Sequence, residues 1–220
     1  MFIEVNDINI YYEVLGHGEP LIMIHGNGED HKIFYKAANI LKDHFTCYLI
    51  DSRGHGKSDK VSKFHYEDMA SDIYQFINKL SLKEVNYYGF SDGGIIGLLL
   101  ASKYPDLLKT MIISGANTKP EALKPLLLKV FSFINRLKNN PLFSLMLNEP
   151  HISKEELNKI KTPTLVLAGE KDLILEEETL YIHEEIENSK LIILPKENHA
   201  SYIVNSEKIA YLILDFLKVA

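Results

Sequence analysis

Gly89-Phe90-Ser91-Asp92-Gly93 is the stretch on which the reading of this chain turns. A β-type run, Glu84-Val85-Asn86-Tyr87-Tyr88, precedes it, and a helical run from Ile95 to Ala101 follows. Gly-x-Ser-x-Gly at a strand-to-helix turn is the pattern of a nucleophile elbow. Such a turn is tight and strained, and it projects the serine oxygen above the sheet. The flanking glycines lack a Cβ, so strand and helix can approach closely. Ser91 is therefore the candidate nucleophile.

Three further segments surround that stretch with chemistry. Leu21-Ile22-Met23-Ile24 reads as a buried strand and runs into His25-Gly26-Asn27-Gly28. Thr164 to Ala168 is another, followed by Gly169-Glu170-Lys171-Asp172. Leu191 to Leu194 is a third, followed by Pro195-Lys196-Glu197-Asn198-His199. Each places polar groups just beyond the C-terminal end of a strand, the edge where open α/β sheets bind ligands. Ser91, Asp172 and His199 occur in the order nucleophile, acid, histidine. With Asp51-Ser52-Arg53-Gly54-His55-Gly56-Lys57-Ser58 added, the chain resembles the α/β-hydrolase superfamily from about its first strand to its last helix.

The resemblance implies a mostly parallel sheet flanked by helices, with a short helical cap inserted after strand six at about residues 116–160. It implies a Ser91–His199–Asp172 triad and an oxyanion hole built from the backbone N–H groups of Asn27 and Asp92. It also implies hydrolysis without a cofactor.

The residues support these roles on chemical grounds. A serine hydroxyl is a weak nucleophile and needs an adjacent base. Of the nine histidines, His199 alone follows the final strand. Asp172 would orient its imidazole, and Glu170 is the next candidate for the acid. Glu176, Glu177 and Glu178 read instead as the solvated first turn of a helix, where the dipole favours acids. No carboxylate lies near Gly115-Ala116-Asn117, the other place where the superfamily puts the acid. His25 reads as a loop brace, and Asp51 with Arg53 as a structural pair around a tight turn. Asp92 has two readings: a carboxylate that attracts a cationic substrate, or a residue that turns away to cap the elbow helix.

Composition bounds the rest. A chain of 220 residues suits one domain, 1–220, with a sizeable core. A net charge of −6 argues against a nucleic-acid partner. No apolar run approaches the length of a membrane span, and the N-terminal residues lack the basic start of a signal peptide. A cytoplasmic protein with a small-molecule acyl substrate, and no membrane or nucleic-acid partner, is the expectation. Neither His25 with His31 nor His55 with His65 has the i, i+4 spacing of a helical zinc motif, so no metal site is expected. No Gly-x-Gly-x-x-Gly or Walker pattern marks a cofactor phosphate. The single Cys47 reads as a buried hydrophobe.

Along the chain, a hairpin is expected near Asn6-Asp7, then strand 21–24, a helix over about 30–41, and strand 45–50. Helix 66–80, strand 84–88, helix 92–103 and strand 110–114 follow. After the capped segment come strand 164–168, a helix over about 176–186, strand 191–194 and a helix over about 206–217. Ser153 with Glu156 resembles a capping box. Leu123, Leu127, Val130, Ile134 and Leu137 recur at helical spacing, with Phe131, Phe133, Leu142, Phe143 and Met146 nearby. Most of this apolar set is expected to pack on the core and some to roof an acyl pocket.

The activity expected from these parts is that of a serine carboxylesterase acting on small or medium acyl esters. Carbon–carbon bond hydrolysis, lyase or cofactor-free peroxidase chemistry are the alternatives on the same scaffold. A non-catalytic binding protein is the remaining one.

Overall fold

A computed structural model describes residues 1–219. One eight-stranded sheet runs in the order β1-β2-β4-β3-β5-β6-β7-β8. Its strands are β1 Phe2–Val5, β2 Ile8–Leu15, β3 Glu19–Ile24, β4 Phe45–Ile50, β5 Val85–Phe90, β6 Leu108–Ser114, β7 Thr164–Lys171 and β8 Ser189–Asn198. The six strands from β4 to β8 across the sheet are parallel. Only β2 runs against the rest, antiparallel to both of its neighbours, β1 and β4. The β1–β2 hairpin turns on Asn6 and Asp7, with φ of 46° and 62°. Two consecutive positive φ values define the type I′ turn, which matches the twist of the strands it joins.

Helices cover both faces. On one side lie α1 Tyr35–Leu41 and α8 Lys208–Leu217, closing a core of Met23, Phe34, Tyr88 and Ile213. On the other lie α2 Tyr66–Lys79, α3 Asp92–Lys103, α6 Lys154–Leu157 and α7 Glu176–Glu185, over Ile24, Tyr87, Leu98 and Met111. Every residue of β5 is buried. Tyr87 belongs to one core and Tyr88 to the other, as the period of two requires. A strand covered on both faces reads as a continuous run rather than an alternation.

Boundaries moved in physically intelligible ways. The helix expected over 30–41 is a 3-10 turn, His31–Phe34, leading into α1 at Tyr35. Asp51 takes both the His31 N–H and the His31 Nδ1, at 2.8 and 2.7 Å, which ties down the first turn. The last helix begins at Lys208 rather than 206. Strands β7 and β8 run three and four residues past their apolar runs, carrying Asp172 and His199 to the sheet edge.

Arg53 binds Asp72 of α2 through Nε at 2.6 Å and Nη2 at 2.7 Å, so it pins the glycine-rich turn to that helix. Asp51 holds the same turn from within, accepting from Lys57 N at 2.8 Å. Cys47 is buried, and burial pushes its thiol up to about 12.

Between β6 and β7 lie a 3-10 turn, Pro120–Ala122, then α4 Pro125–Lys138, α5 Pro141–Asn148 and α6. Ser153 and Glu156 form a reciprocal capping box at the start of α6. Two expectations are corrected in this region. No residue of α4 is buried, so Leu127, Val130, Ile134 and Leu137 do not pack on the core, whereas Leu142 of α5 does. Helix α4 rests on α5 and the 3-10 turn as a second storey. Glu178 is not solvated either: it is buried and accepts from Thr118 N at 2.7 Å. It anchors the base of the insert to α7, where a helix N-terminus also favours the charge.

Candidate active site

Ser91 stands between β5 and α3 with φ 52° and ψ −113°. A non-glycine residue held there costs roughly 1–3 kcal/mol. Three hydrogen bonds keep it in place. Ser91 N–H donates to the Ser114 carbonyl at 2.8 Å, and the Ser91 carbonyl accepts from Gly94 at 2.8 Å and Ile95 at 3.1 Å. A Cβ on Gly93 would run into the Ile24 carbonyl, and one on Gly89 into the Gly93 carbonyl. Both glycines are thus demanded by the close approach of helix to sheet.

His199 directly follows β8. Its Nε2 lies 3.1 Å from Ser91 Oγ, and its Nδ1 lies 2.6 Å from Asp172 Oδ1. The Phe90 ring tilts against the imidazole with centroids 4.9 Å apart. Gly115, φ 61°, sits beside the ring, and a Cβ there would stand 2.6 Å from His199 Cε1. A glycine must therefore follow strand β6 for His199 to reach the serine. That residue has a sequence signal, a glycine directly after a strand, but nothing in the sequence ties it to His199.

Asp172 is buried. Its Oδ1 also accepts from Ile174 N at 3.0 Å and its Oδ2 from Gly169 N at 3.2 Å. Burial alone would raise this carboxyl. The His199 hydrogen bond and charge, with the two backbone donors, outweigh burial and hold it below the usual carboxylate range. Glu170 is turned elsewhere, accepting from Lys196 N at 2.6 Å on the exposed side.

The loop after β3 is braced on both sides of Asn27. Gly26 N donates to Glu29 Oε2 at 3.0 Å, and Gly28 N donates to His55 Nε2 at 3.1 Å. His55 Nδ1 in turn donates to the Arg53 carbonyl at 2.9 Å. His25 sits beneath, its Nδ1 donating to the Gly26 carbonyl at 2.7 Å and its Nε2 accepting from Ser52 N at 3.1 Å. Those partners require a neutral imidazole with the proton on Nδ1. Complete burial, and then the neighbouring His55, lower the His25 pKa to about 4. Glu29 and His55 are loop supports that sequence reading missed, because each acts on a backbone N–H and leaves no motif.

Asp92 does not cap the elbow helix. Its Oδ1 accepts from the Tyr66 hydroxyl at 2.8 Å and its Oδ2 from Asn27 Nδ2 at 3.0 Å. The two residues expected to supply oxyanion N–H groups are thus tied together through their side chains. As the first residue of α3, Asp92 has one of the N–H groups that a helix leaves unpaired. Burial raises its carboxyl above the ordinary range, against the pull of Tyr66 and Asn27.

Ser91 and His199 open into a cavity of about 240 Å³. From the insert, Leu123, Phe131, Phe143 and Met146 line it, while Leu127, Val130, Ile134 and Leu137 do not. Three carboxylates, Glu29, Asp92 and Glu149, face it, and its lining holds no Lys or Arg. The base of the insert is stitched to the Asp172 loop by Lys124 N to the Leu173 carbonyl at 3.0 Å and Leu175 N to the Ala122 carbonyl at 2.8 Å. Asp30, His31 and Asp51 bring ligand-type atoms within 4.8 Å of one another away from this cavity. The Asp51 oxygens there are already taken by His31 and Lys57.

The histidine brace makes stability depend on pH. His25 has a folded pKa near 4 against an ordinary value of 6.5. Between those values the unfolded chain binds more protons than the folded one. The contribution is therefore whole above about pH 6.5 and is lost as pH falls toward 4, amounting to roughly 3 kcal/mol. Urea midpoints measured across that window should fall steeply in the wild type. In His25→Asn the midpoint should be lower at neutral pH and change less with acidification. An unchanged slope in the variant would remove His25 from this role.

The alpha/beta hydrolase fold model matches residues 19–145, more than half of the chain. The mouse "Serine hydrolase BPHL" is 26% identical over 249 residues, covering 98% of this chain and 85% of that protein. Among solved structures, a meta-cleavage product hydrolase from Pseudomonas fluorescens IP01 superposes with TM-score 0.82 at 19% identity, covering 99% of this chain and 97% of the other. A thermophilic esterase from Thermogutta terrifontis does so with TM-score 0.81 at 22% identity and the same coverage. At these identities the structural matches speak for the fold alone. The motif at the elbow, the sheet order and the matched family model agree, and the chain belongs to the alpha/beta hydrolase fold family.

Proposed function

We propose that this chain is a serine hydrolase that cleaves carboxylic esters of small or medium acyl groups through an acyl-enzyme on Ser91. One observation carries the reading. Ser91 Oγ, His199 Nε2, His199 Nδ1 and Asp172 Oδ1 form one hydrogen-bonded line, with steps of 3.1 and 2.6 Å, beside an apolar cavity. In this reading Ser91 Oγ attacks the ester carbonyl and passes its proton to His199 Nε2. Asp172 holds the Nδ1 proton and stabilises the imidazolium. The N–H groups of Asn27 and Asp92 receive the oxyanion; loss of one such donor typically costs 10²–10³-fold in turnover. The imidazolium then protonates the departing alkoxide. Water repeats the sequence on the acyl-enzyme and releases the acid. Residues 116–160 act as a short cap whose Phe131, Phe143 and Met146 shape the acyl side. No step draws on a metal or cofactor.

The electrostatics of the cavity favour a narrower substrate class. Glu29, Asp92 and Glu149 face it without an opposing Lys or Arg. Each Asp92 oxygen has one donor, from Tyr66 or Asn27, and each can accept another. An ester with an ammonium group near its carbonyl would supply that donor and the missing charge.

Kinetics on a panel of p-nitrophenyl and aminoacyl esters tests both levels. Ser91→Ala and His199→Ala should each lower kcat by about 10⁴-fold or more, and Asp172→Asn by about 10⁴-fold, with folding intact. Near-normal turnover in Asp172→Asn would place the acid elsewhere. Separately, Asp92→Asn should cut kcat/KM for aminoacyl esters about tenfold further than for uncharged ones, the scale of a charge-assisted hydrogen bond. Equal losses in both classes would leave Asp92 with only its tether to Asn27.

A further inference from the structure

Helix α4 carries an apolar stripe that the fold does not use. Leu126, Val130, Phe133 and Leu137 recur at i, i+4, i+7 and i+11, which places them on one face. They are 73%, 42%, 63% and 68% exposed. The inward needs of the helix are already met. Leu128 and Phe131 pack on Ala122, Leu123 and Ile174, and Phe131 stacks on Phe143 at 5.2 Å. Isolated surface leucines are ordinary, but a contiguous stripe of large side chains marks an interaction surface.

Charge identifies what the stripe meets. From Ala122 to Asn148 the sequence holds Lys124, Lys129, Arg136 and Lys138 and no acidic residue. Taking that +4 from the net charge of −6 leaves −10 for the rest of the chain. The stretch that carries α4 and α5 is therefore a basic part of an otherwise acidic chain. Lys129 and Arg136 are both exposed and fall along one flank of the stripe. Large apolar side chains bordered by basic ones on a single helix are the composition of an interfacial helix. A second copy fits less well, because an antiparallel two-fold pairing of the stripes would bring the two basic flanks together.

We propose that α4 docks this protein, insert first, on the surface of an anionic phospholipid bilayer, with Leu126, Phe133 and Leu137 in the headgroup–acyl boundary. The contact is peripheral, since no described helix is long and apolar enough to cross a membrane. It is independent of the chemistry at Ser91, and its test reads binding rather than turnover.

Flotation of the full chain with vesicles decides it. Protein should float with vesicles of phosphatidylcholine mixed with phosphatidylglycerol, remain behind with phosphatidylcholine alone, and be released by high salt, which screens the charges. Leu126→Ser/Phe133→Ser/Leu137→Ser should lower partitioning more than tenfold, with an unchanged circular dichroism spectrum and melting temperature. None of these side chains lines the cavity or enters the core, so folding is preserved. Lys129→Gln and Arg136→Gln should each lower partitioning about fivefold. Absence of flotation with the anionic vesicles would overturn the proposal, as would equal, salt-insensitive flotation with neutral ones. A dimer in sedimentation that the triple serine variant splits, with no vesicle binding, would assign the stripe to a second copy instead.

Discussion

The strained backbone of Ser91 is the constraint around which the structure is arranged. A serine at φ 52° relaxes unless its neighbours forbid it. Here β5 is buried along its whole length, and α3 is buried from Asp92 to Ser102. The strand cannot rise and the helix cannot retreat, because Gly89 and Gly93 have already brought backbone into contact with backbone. Ser114 fixes the one N–H at the turn. The same parallel register that buries β5 also aligns the ends of β6, β7 and β8. Gly115, Asp172 and His199 therefore arrive at the same edge as Ser91 without any loop having to reach for it.

A second layer of polar contacts positions backbone rather than reacting. Three buried histidines serve it: His25 and His55 hold the loop after β3, and His31 ties the 3-10 turn to Asp51. Asp92 joins this layer by linking Tyr66 to Asn27. A buried carboxylate with only neutral donors is expensive to keep. It stands next to Ser91 and adds a third carboxylate, with Glu29 and Glu149, to the cavity wall.

The sheet was legible in the sequence because strands buried on both faces appear as short continuous apolar runs, and polar residues at their ends stand out. That pattern led to Ser91, Asp172 and His199 together. It could not reveal Glu29, His55 or Gly115, whose work is done on backbone atoms or by leaving room. Glu178 was misread because three consecutive glutamates at a helix start look alike, and only Thr118, some sixty residues earlier, distinguishes the third. The α4 stripe was misread for a related reason. Periodicity reports that one face is apolar, and it is silent on whether anything in the same chain lies against it.

The proposed hydrolysis rests on Ser91 being a nucleophile activated by His199 in an intact protein. Reaction with a fluorophosphonate, followed by intact-mass and peptide mass spectrometry, examines that directly. A single adduct should appear on the peptide containing Ser91, be absent in Ser91→Ala, and form orders of magnitude more slowly in His199→Ala. An adduct on another residue, or labelling of Ser91 at the same rate without His199, would contradict it.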